Sequence, residues 1–196
     1  MSQAQLIRIL EWTWIVFGVY WLMAARRGKA APESLSESPV YRVFRLLLLL
    51  ITFALLFAKW TAVGFLSRSF LPKTHPLPYF GFALSLAGLA IAIWARISLG
   101  QYWSDKIVLK VNHQLVRSGP YARMRHPIYS GVLLGVAGTA LLVDEWRGVL
   151  AFLVLLTNYV AKAKREDRVL AEAFGNDFAD HKIRAGFLLP RFYPKK

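Results

Sequence analysis

No cysteine occurs among the 196 residues, which excludes disulfides, thiolate metal sites and a cysteine nucleophile. Acidic side chains are scarce as well: 11 Asp and Glu stand against 25 Lys and Arg, a formal charge of +14. Polar surface of any kind is short, since 56% of the residues are hydrophobic and the mean hydropathy is +0.40. That is more apolar surface than a soluble domain buries, and it points to a membrane protein. The basic excess could suggest nucleic acid, but the cations lie between apolar runs rather than along one polar face or tail. They fit membrane anchors, and no nucleic-acid partner is expected. The chain also lacks an internal repeat and a low-complexity tract.

What is present is a series of long apolar segments. A spanning helix needs roughly 20 apolar residues at ~1.5 Å rise each. Residues 6–25, 43–65 and 77–95 meet that length, and the third carries no charge. The first is not a secretory signal, because Glu11 interrupts it and the basic cluster follows rather than precedes it. Residues 26–39 form a polar loop, and Pro72, Pro76 and Pro78 mark a short exterior connection. Residues 128–143 and 148–161 are somewhat short for independent spans, with only 144–147 between them. They read as a tight helical hairpin that crosses by local bilayer thinning or snorkelling, with a re-entrant hairpin as the alternative.

Orientation follows from the cations. Arg26, Arg27, Lys29, Arg42 and Arg45 flank the first loop, Arg96, Lys106, Lys110, Arg117, Arg123 and Arg125 the central one, and a basic tail starts at Lys162. The opposite side receives only Arg8, Lys59, Arg68, Lys73 and Arg147. The expected fold is all-α: a polytopic integral membrane protein of about five transmembrane helices, N-terminus outside, with a cytosolic cap formed by the central loop and tail.

Three stretches could carry chemistry. Gly119, Pro120 and Tyr121 form a sharp turn, and His126 with Pro127 marks a helix start, since proline suits the first helical position. Such a start offers free N–H groups and a partial positive charge to a carboxylate, a ribose or a phosphate, with His126 and Tyr129 at the opening. Taken alone, the same residues read equally as a helix cap, headgroup anchors and an aromatic belt. Lys162 and Glu166 lie four apart on one helical face, available to each other or to a ligand bearing both charges. The passage from His113 through Gln114 and Leu115 to Val116 is a polar-to-apolar loop edge.

In their order these residues resemble the isoprenylcysteine carboxyl methyltransferase family and its relatives, the phospholipid methyltransferases. The likeness covers residues 99–194: Leu99-Gly100, His113 to Val116, Gly119 to Tyr121, Arg125 to Tyr129, Glu166-Asp167, Phe174-Gly175 and Pro190 to Pro194. It implies three N-terminal helices over residues 1–98 and a methyltransferase-like region over 99–196, together one membrane domain. It further implies a bacterial inner-membrane enzyme with S-adenosylmethionine in a cytosolic pocket and a lipid-like or lipidated acceptor reached from the bilayer. Carried over position by position, the cofactor contacts are Lys106, His113, Gln114, Leu115, Val116, Tyr121, His126, Pro127, Ile128, Tyr129 and Glu166, with no metal. Lys162 and Arg165 are implied as acceptor contacts. Two positions depart from the pattern: Asp167 stands where a second glutamate is usual, and Lys162 where an arginine is. A lysine is a point charge and an arginine a bidentate fork, so a carboxylate acceptor would draw on Lys164 or Arg165 as well.

The implied chemistry is SN2 methyl transfer to oxygen or nitrogen, driven mainly by positioning in a dry pocket. A carboxylate acceptor is already ionised and needs no base, whereas an amine would call on Glu166, His126 or Tyr129 to take a proton. Two rivals stand beside it: a membrane reductase using a nicotinamide cofactor, and a non-enzymatic scaffold or transport component. Glu11 is the sole carboxylate of the three long spans, which argues against ion transport.

Overall fold

The computed structural model describes residues 1–26, 38–72, 76–103 and 114–192. Among them the chain forms α1 (Gln3–Arg26), α2 (Pro39–Phe57), α3 (Pro76–Leu99), α4 (Pro127–Val143) and α5 (Trp146–Arg184), joined by short 3-10 turns. No strand occurs among the described residues, only an isolated bridge between Met124 and Gly186. The chain is an all-α integral membrane protein. Gln3–Ala24, Pro39–Phe57 and Pro76–Tyr102 are long and apolar enough to cross a bilayer. Their outer faces expose Trp12, Val16, Leu22, Val43, Leu47, Leu50 and Trp94, an arrangement that suits lipid and not water.

α2 departs from the expected 43–65, starting earlier at Pro39 and ending at Phe57. Proline fits its first turn, and its last carbonyls find partners that close it. The Thr61 hydroxyl donates to Ala58 O (2.7 Å), and the buried Arg147 guanidinium donates to Leu55 O (3.2 Å) and Ala58 O (3.1 Å). The expected hairpin is present, but its turn is tighter than 144–147. Asp144 takes a left-handed conformation (φ 55°) and its carboxylate accepts from Ser69 Oγ (2.6 Å) and the Leu71 N–H (3.1 Å).

α4 has 17 residues and is apolar throughout, and it packs most closely on α3 rather than on its hairpin partner. Glycines on both helices allow this approach: a Cβ on Gly138 would lie 2.3 Å from Ser85 N, and one on Gly88 2.3 Å from Gly135 N. Where the helices touch, the Trp14 indole donates to Thr139 Oγ1 (3.0 Å), and Ser85 and Thr139 share a hydrogen bond (3.1 Å). The core runs from Leu6, Leu10 and Trp14 of α1 through Leu56, Leu89 and Val136 to Ala151 and Leu155 of α5.

The bundle has two distinct ends. At one, the N-terminal amine reaches Tyr79 Oη (3.3 Å), Gln3 reaches Leu142 O (2.7 Å) and the Trp146 N–H reaches Arg68 O (3.1 Å). At the other, Arg96 donates to Ala24 O (3.0 Å) and Asn158 to Arg45 O (3.3 Å). This second end also carries residues 114–130 and the charged half of α5, so the described parts of the three basic regions grouped from sequence share it. The candidate site lies there.

Candidate active site

α4 begins at Pro127 with His126 at the N-cap position, as the sequence implies, but the His126 ring makes no capping bond. It turns away to α5, where two neighbouring carboxylates hold it. Nε2 lies 2.8 Å from Asp167 Oδ1, and Nδ1 lies 3.5 Å from Glu166 Oε2. Adjacent residues on a helix point about 100° apart, so Glu166 and Asp167 address different neighbours. Asp167 completes an ion pair with Arg125 (3.2 Å), while Glu166 accepts from Tyr129 Oη (2.5 Å) and pairs with Lys162 (3.7 Å).

The C-terminal strap closes this cluster from one side. The backbone N–H groups of Arg125 and His126 donate to Gly186 O (2.8 Å) and Phe187 O (3.3 Å), and Gly186 N–H returns a bond to Arg123 O (2.9 Å). Arg125 Nη1 adds a bond to Ala185 O (2.7 Å), and Ser130 Oγ reaches Leu188 O (2.5 Å). The Phe187 ring meets His126 edge-on at 5.3 Å. α5 can turn back to deliver this strap because its helical path breaks at Gly175, whose φ of 47° and ψ of −118° suit only glycine.

The apolar part of α5 ends at Ala161, so the charged cluster lies beyond the bilayer core. Burial disfavours the imidazolium of His126, but hydrogen bonds to Asp167 and Glu166 and their charges outweigh it, and its pKa is raised. The same burial would raise the Glu166 carboxyl; Lys162, His126 and Tyr129 overcome it and hold the pKa low. For Asp167, hydrogen bonds and charge from His126 and Arg125 likewise outweigh burial and lower it. The His126 ring is therefore clamped between two carboxylates that favour its protonated form. His181, buried beneath it and facing Arg117, Arg125, Asp167 and His126, has its pKa lowered to about 4, first by burial and then by the arginines, and is neutral.

Of the residues implied as cofactor contacts, His126, Tyr129 and Glu166 come together directly. Val116, Tyr121, Ile128 and Tyr129 pack in a second apolar cluster with Ala95 and Trp103. Pro127 is buried in the first turn of α4, Leu115 is half-buried and Gln114 is exposed. Lys106 and His113 lie outside the described residues. Lys162 is buried against Glu166 and the Tyr129 ring (5.3 Å), whereas Arg165 points to α2, its guanidinium 3.6 Å over the Tyr41 ring. Arg125 is no headgroup anchor; it is tied to Asp167 and the strap. Asp167, which the motifs marked only as a departure from glutamate, and Ser130 and the strap carbonyls, which they did not single out, are parts of the site. A signal for the first was available, an adjacent Arg-His pair matched by an adjacent Glu-Asp pair.

Glu166 is also the group best suited to a ligand. A carboxylate offers about four lone-pair positions. Among the described residues Tyr129 Oη makes a short hydrogen bond to it, His126 Nδ1 a long one at 3.5 Å and Lys162 an ion pair at 3.7 Å, and the side chain is 22% exposed. Acceptor capacity is left for an ammonium or a pair of hydroxyls, as the methionine and ribose parts of S-adenosylmethionine would present. Asp167, 14% exposed and committed to His126 and Arg125, has little to spare.

A model of the family described as phospholipid methyltransferase matches residues 77–177, from α3 to just beyond the Gly175 break. The chain belongs to this family. The chain is similar to the cobalt-zinc-cadmium resistance protein CzcN of Cupriavidus metallidurans and to protein-S-isoprenylcysteine O-methyltransferase B of Arabidopsis thaliana. The first is 35% identical over 114 residues, 57% of this chain and 48% of that protein. The second is 30% identical over 108 residues, 54% of this chain and 55% of that protein. The chain thus spans about half the length of the curated relatives it matches. The fold is shared with a eukaryotic intramembrane Ras methyltransferase, isoprenylcysteine carboxyl methyltransferase, at a TM-score of 0.52 and 21% identity. That match covers 80% of this chain and 54% of the other. The family segment contains Tyr121, His126, Tyr129 and Glu166, and the strap lies outside it.

Proposed function

We propose that the chain is an S-adenosylmethionine-dependent membrane methyltransferase acting on a lipid-like acceptor that presents a carboxylate. The observation that carries this is Glu166, an anion with spare acceptor capacity fixed by Tyr129, His126 and Lys162 within the family segment. When bound, S-adenosylmethionine supplies an electrophilic methyl group. Glu166 receives its ammonium or ribose hydroxyls; His126 and Asp167 hold Glu166 in place, and the strap and Phe187 exclude water from that wall. Lys162 and Arg165 orient the acceptor oxygen toward the methyl group.

The proton inventory favours a carboxylate over an amine. The raised pKa of His126 favours the form in which both ring nitrogens donate, to Asp167 and to Glu166, and Tyr129 Oη donates to Glu166 as well. His126 and Tyr129 are therefore already donors, and Glu166 is held low in pKa, so none of the three expected bases is suited to take a proton. An ionised carboxylate asks for none. The prenylcysteine acceptors named by relatives fit that chemistry.

The end bearing the site faces the cytosol in this reading, the N-terminus lies outside, and α4 with the apolar half of α5 completes five spans of a bacterial inner membrane. The direct test incubates the purified protein with methyl-labelled S-adenosylmethionine and a membrane lipid extract, followed by identification of the labelled product. A base-labile methyl ester on a lipid is expected. Parallel titration with NADPH separates the reductase: binding of NADPH and not of S-adenosylmethionine overturns the assignment, and binding of neither favours a scaffold.

A further inference from the structure

The seam between α2 and α5 holds a polar group with no function in the cluster just described. Tyr41, in the first turn of α2, has its hydroxyl buried and without a hydrogen-bond partner among the described residues. Leaving a buried hydroxyl unpaired is costly, and few native groups are left so. An interfacial tyrosine normally keeps its hydroxyl in water or among headgroups, and this one is covered. Against its ring face lies Arg165 of α5, Cζ 3.6 Å from the centroid. Arg165 is exposed and forms no ion pair among the described residues; Glu166 and Asp167 face Lys162, His126 and Arg125 instead. An unpaired O–H and a guanidinium with its donors free thus share one spot, one turn of α5 from Lys162.

We propose that Tyr41 and Arg165 form the anion-binding subsite for the acceptor, a lipid oxyanion that enters along the α2–α5 seam. The Arg165 guanidinium takes the charge and the Tyr41 hydroxyl donates to one of the anionic oxygens, fixing which oxygen faces the cofactor wall. Tyr41 is a positioning residue contributed by an N-terminal helix outside the family segment, so acceptor choice is set partly by residues that the family match does not cover. Stacking on Tyr41 holds Arg165 ready at a cost of little free energy when it moves to the ligand. This rests on the lipid-acceptor reading above, but concerns anion recognition and not the methyl donor.

The test uses the full chain in nanodiscs of neutral lipid, with three probes titrated at equilibrium: N-acetyl-S-farnesylcysteine, oleate and dioleoyl phosphatidate, each beside its neutral methyl ester. Wild type is expected to prefer at least one acid to its ester. Tyr41→Phe is expected to weaken that acid about tenfold, leaving the ester and S-adenosylmethionine unchanged; Arg165→Gln should weaken it more. Tyr41→Phe should also melt no lower than wild type, because it removes an unpaired buried hydroxyl, whereas a structural hydroxyl would lower the melting temperature on removal. Equal affinity of wild type and Tyr41→Phe for the acid, a lower melting temperature in Tyr41→Phe, or no acid preference in wild type with any of the three probes overturns the subsite. Failure to bind S-adenosylmethionine with acid preference intact overturns the methyl-donor reading instead, and the oleate and phosphatidate arms separate carboxylate from phosphate recognition.

Discussion

Glu166 concentrates the demands on this site into one side chain. Replacing it by glutamine keeps its shape and removes the charge that Lys162, His126 and Tyr129 are arranged around, so S-adenosylmethionine affinity should fall at least tenfold. Calorimetric binding unchanged in Glu166→Gln would remove Glu166 from the cofactor wall. His126 supports a different prediction, with a sign that follows from its raised pKa. Its contribution to folding is complete below the ordinary histidine value of 6.5 and is lost as pH rises through the higher folded value. Glu166 and Asp167 behave oppositely: their contributions are present above ordinary values of 4.5 and 3.8 and lost as pH falls through their lower folded values. The melting temperature should therefore decline from about pH 6.5 upward. His126→Gln should melt lower at pH 6 and lose this decline; an undiminished decline in the variant would assign the effect to another group. The motifs identified Glu166, His126 and Tyr129 because residue type and order are visible in a sequence. They left Asp167 as a mere departure from a glutamate, since its worth depends on Arg125 and His126 meeting it across 42 and 41 residues of chain.

At the level of elements, hydropathy located the three long apolar helices and the α4–α5 hairpin among the described residues, and it left unread how the helices pack on one another. The ends of α2 were misplaced because Arg147, about ninety residues away, satisfies its last carbonyls. The 128–143 segment forms the expected hairpin with its successor, and its glycines also align with those of α3 at helical spacing, a small-residue pattern that a reading for apolar length passes over. That packing makes a sharp contrast between two alanine substitutions. Gly138→Ala drives a Cβ to 2.3 Å from Ser85 N and 2.6 Å from Gly81 O, backbone that cannot yield. A loss of about 2 kcal/mol or more is expected. Gly18→Ala meets nothing within 4 Å and should be neutral or slightly stabilising. Equal melting temperatures for the two would mean that α3 and α4 do not pack this closely. Gly175 differs again: open space surrounds it, but its backbone angles exclude a side chain. Gly175→Ala should cost about 1–3 kcal/mol. The cost should appear in the strap, as faster proteolysis of residues 185–192, with α1 to α4 protected as before.

For the whole molecule, the distribution of charge and the geometry of the site lead to the same orientation by separate routes. The cations counted from sequence place the first loop, the central loop and the tail together, and the helices bring the described parts of all three to one end, with Arg45, Arg96, Arg125 and Lys162 around the candidate site. The proposed S-adenosylmethionine is soluble and available on the cytosolic side, so the proposed activity requires the cluster there, and the positive-inside tendency asks for the same. The absence of cysteine makes the test clean, because every labelled thiol will be an introduced one. A cysteine at Ser36 or Lys195 should react with a membrane-impermeant maleimide only after the inner face is opened, and one at Ser69, beside Asp144 at the opposite end, should react in intact cells. Labelling of Ser36→Cys from outside would invert the protein and separate the cluster from its cofactor. Labelling of Ser36→Cys from inside together with Lys195→Cys from outside would mean that the four crossings expected between the two positions have become an odd number, so that one span is lost; a re-entrant α4–α5 pair removes two crossings and keeps both positions on one side. Ser69→Cys then locates the loss: reacting from outside it places the missing span among α3 to α5, and reacting from inside it places it at α2.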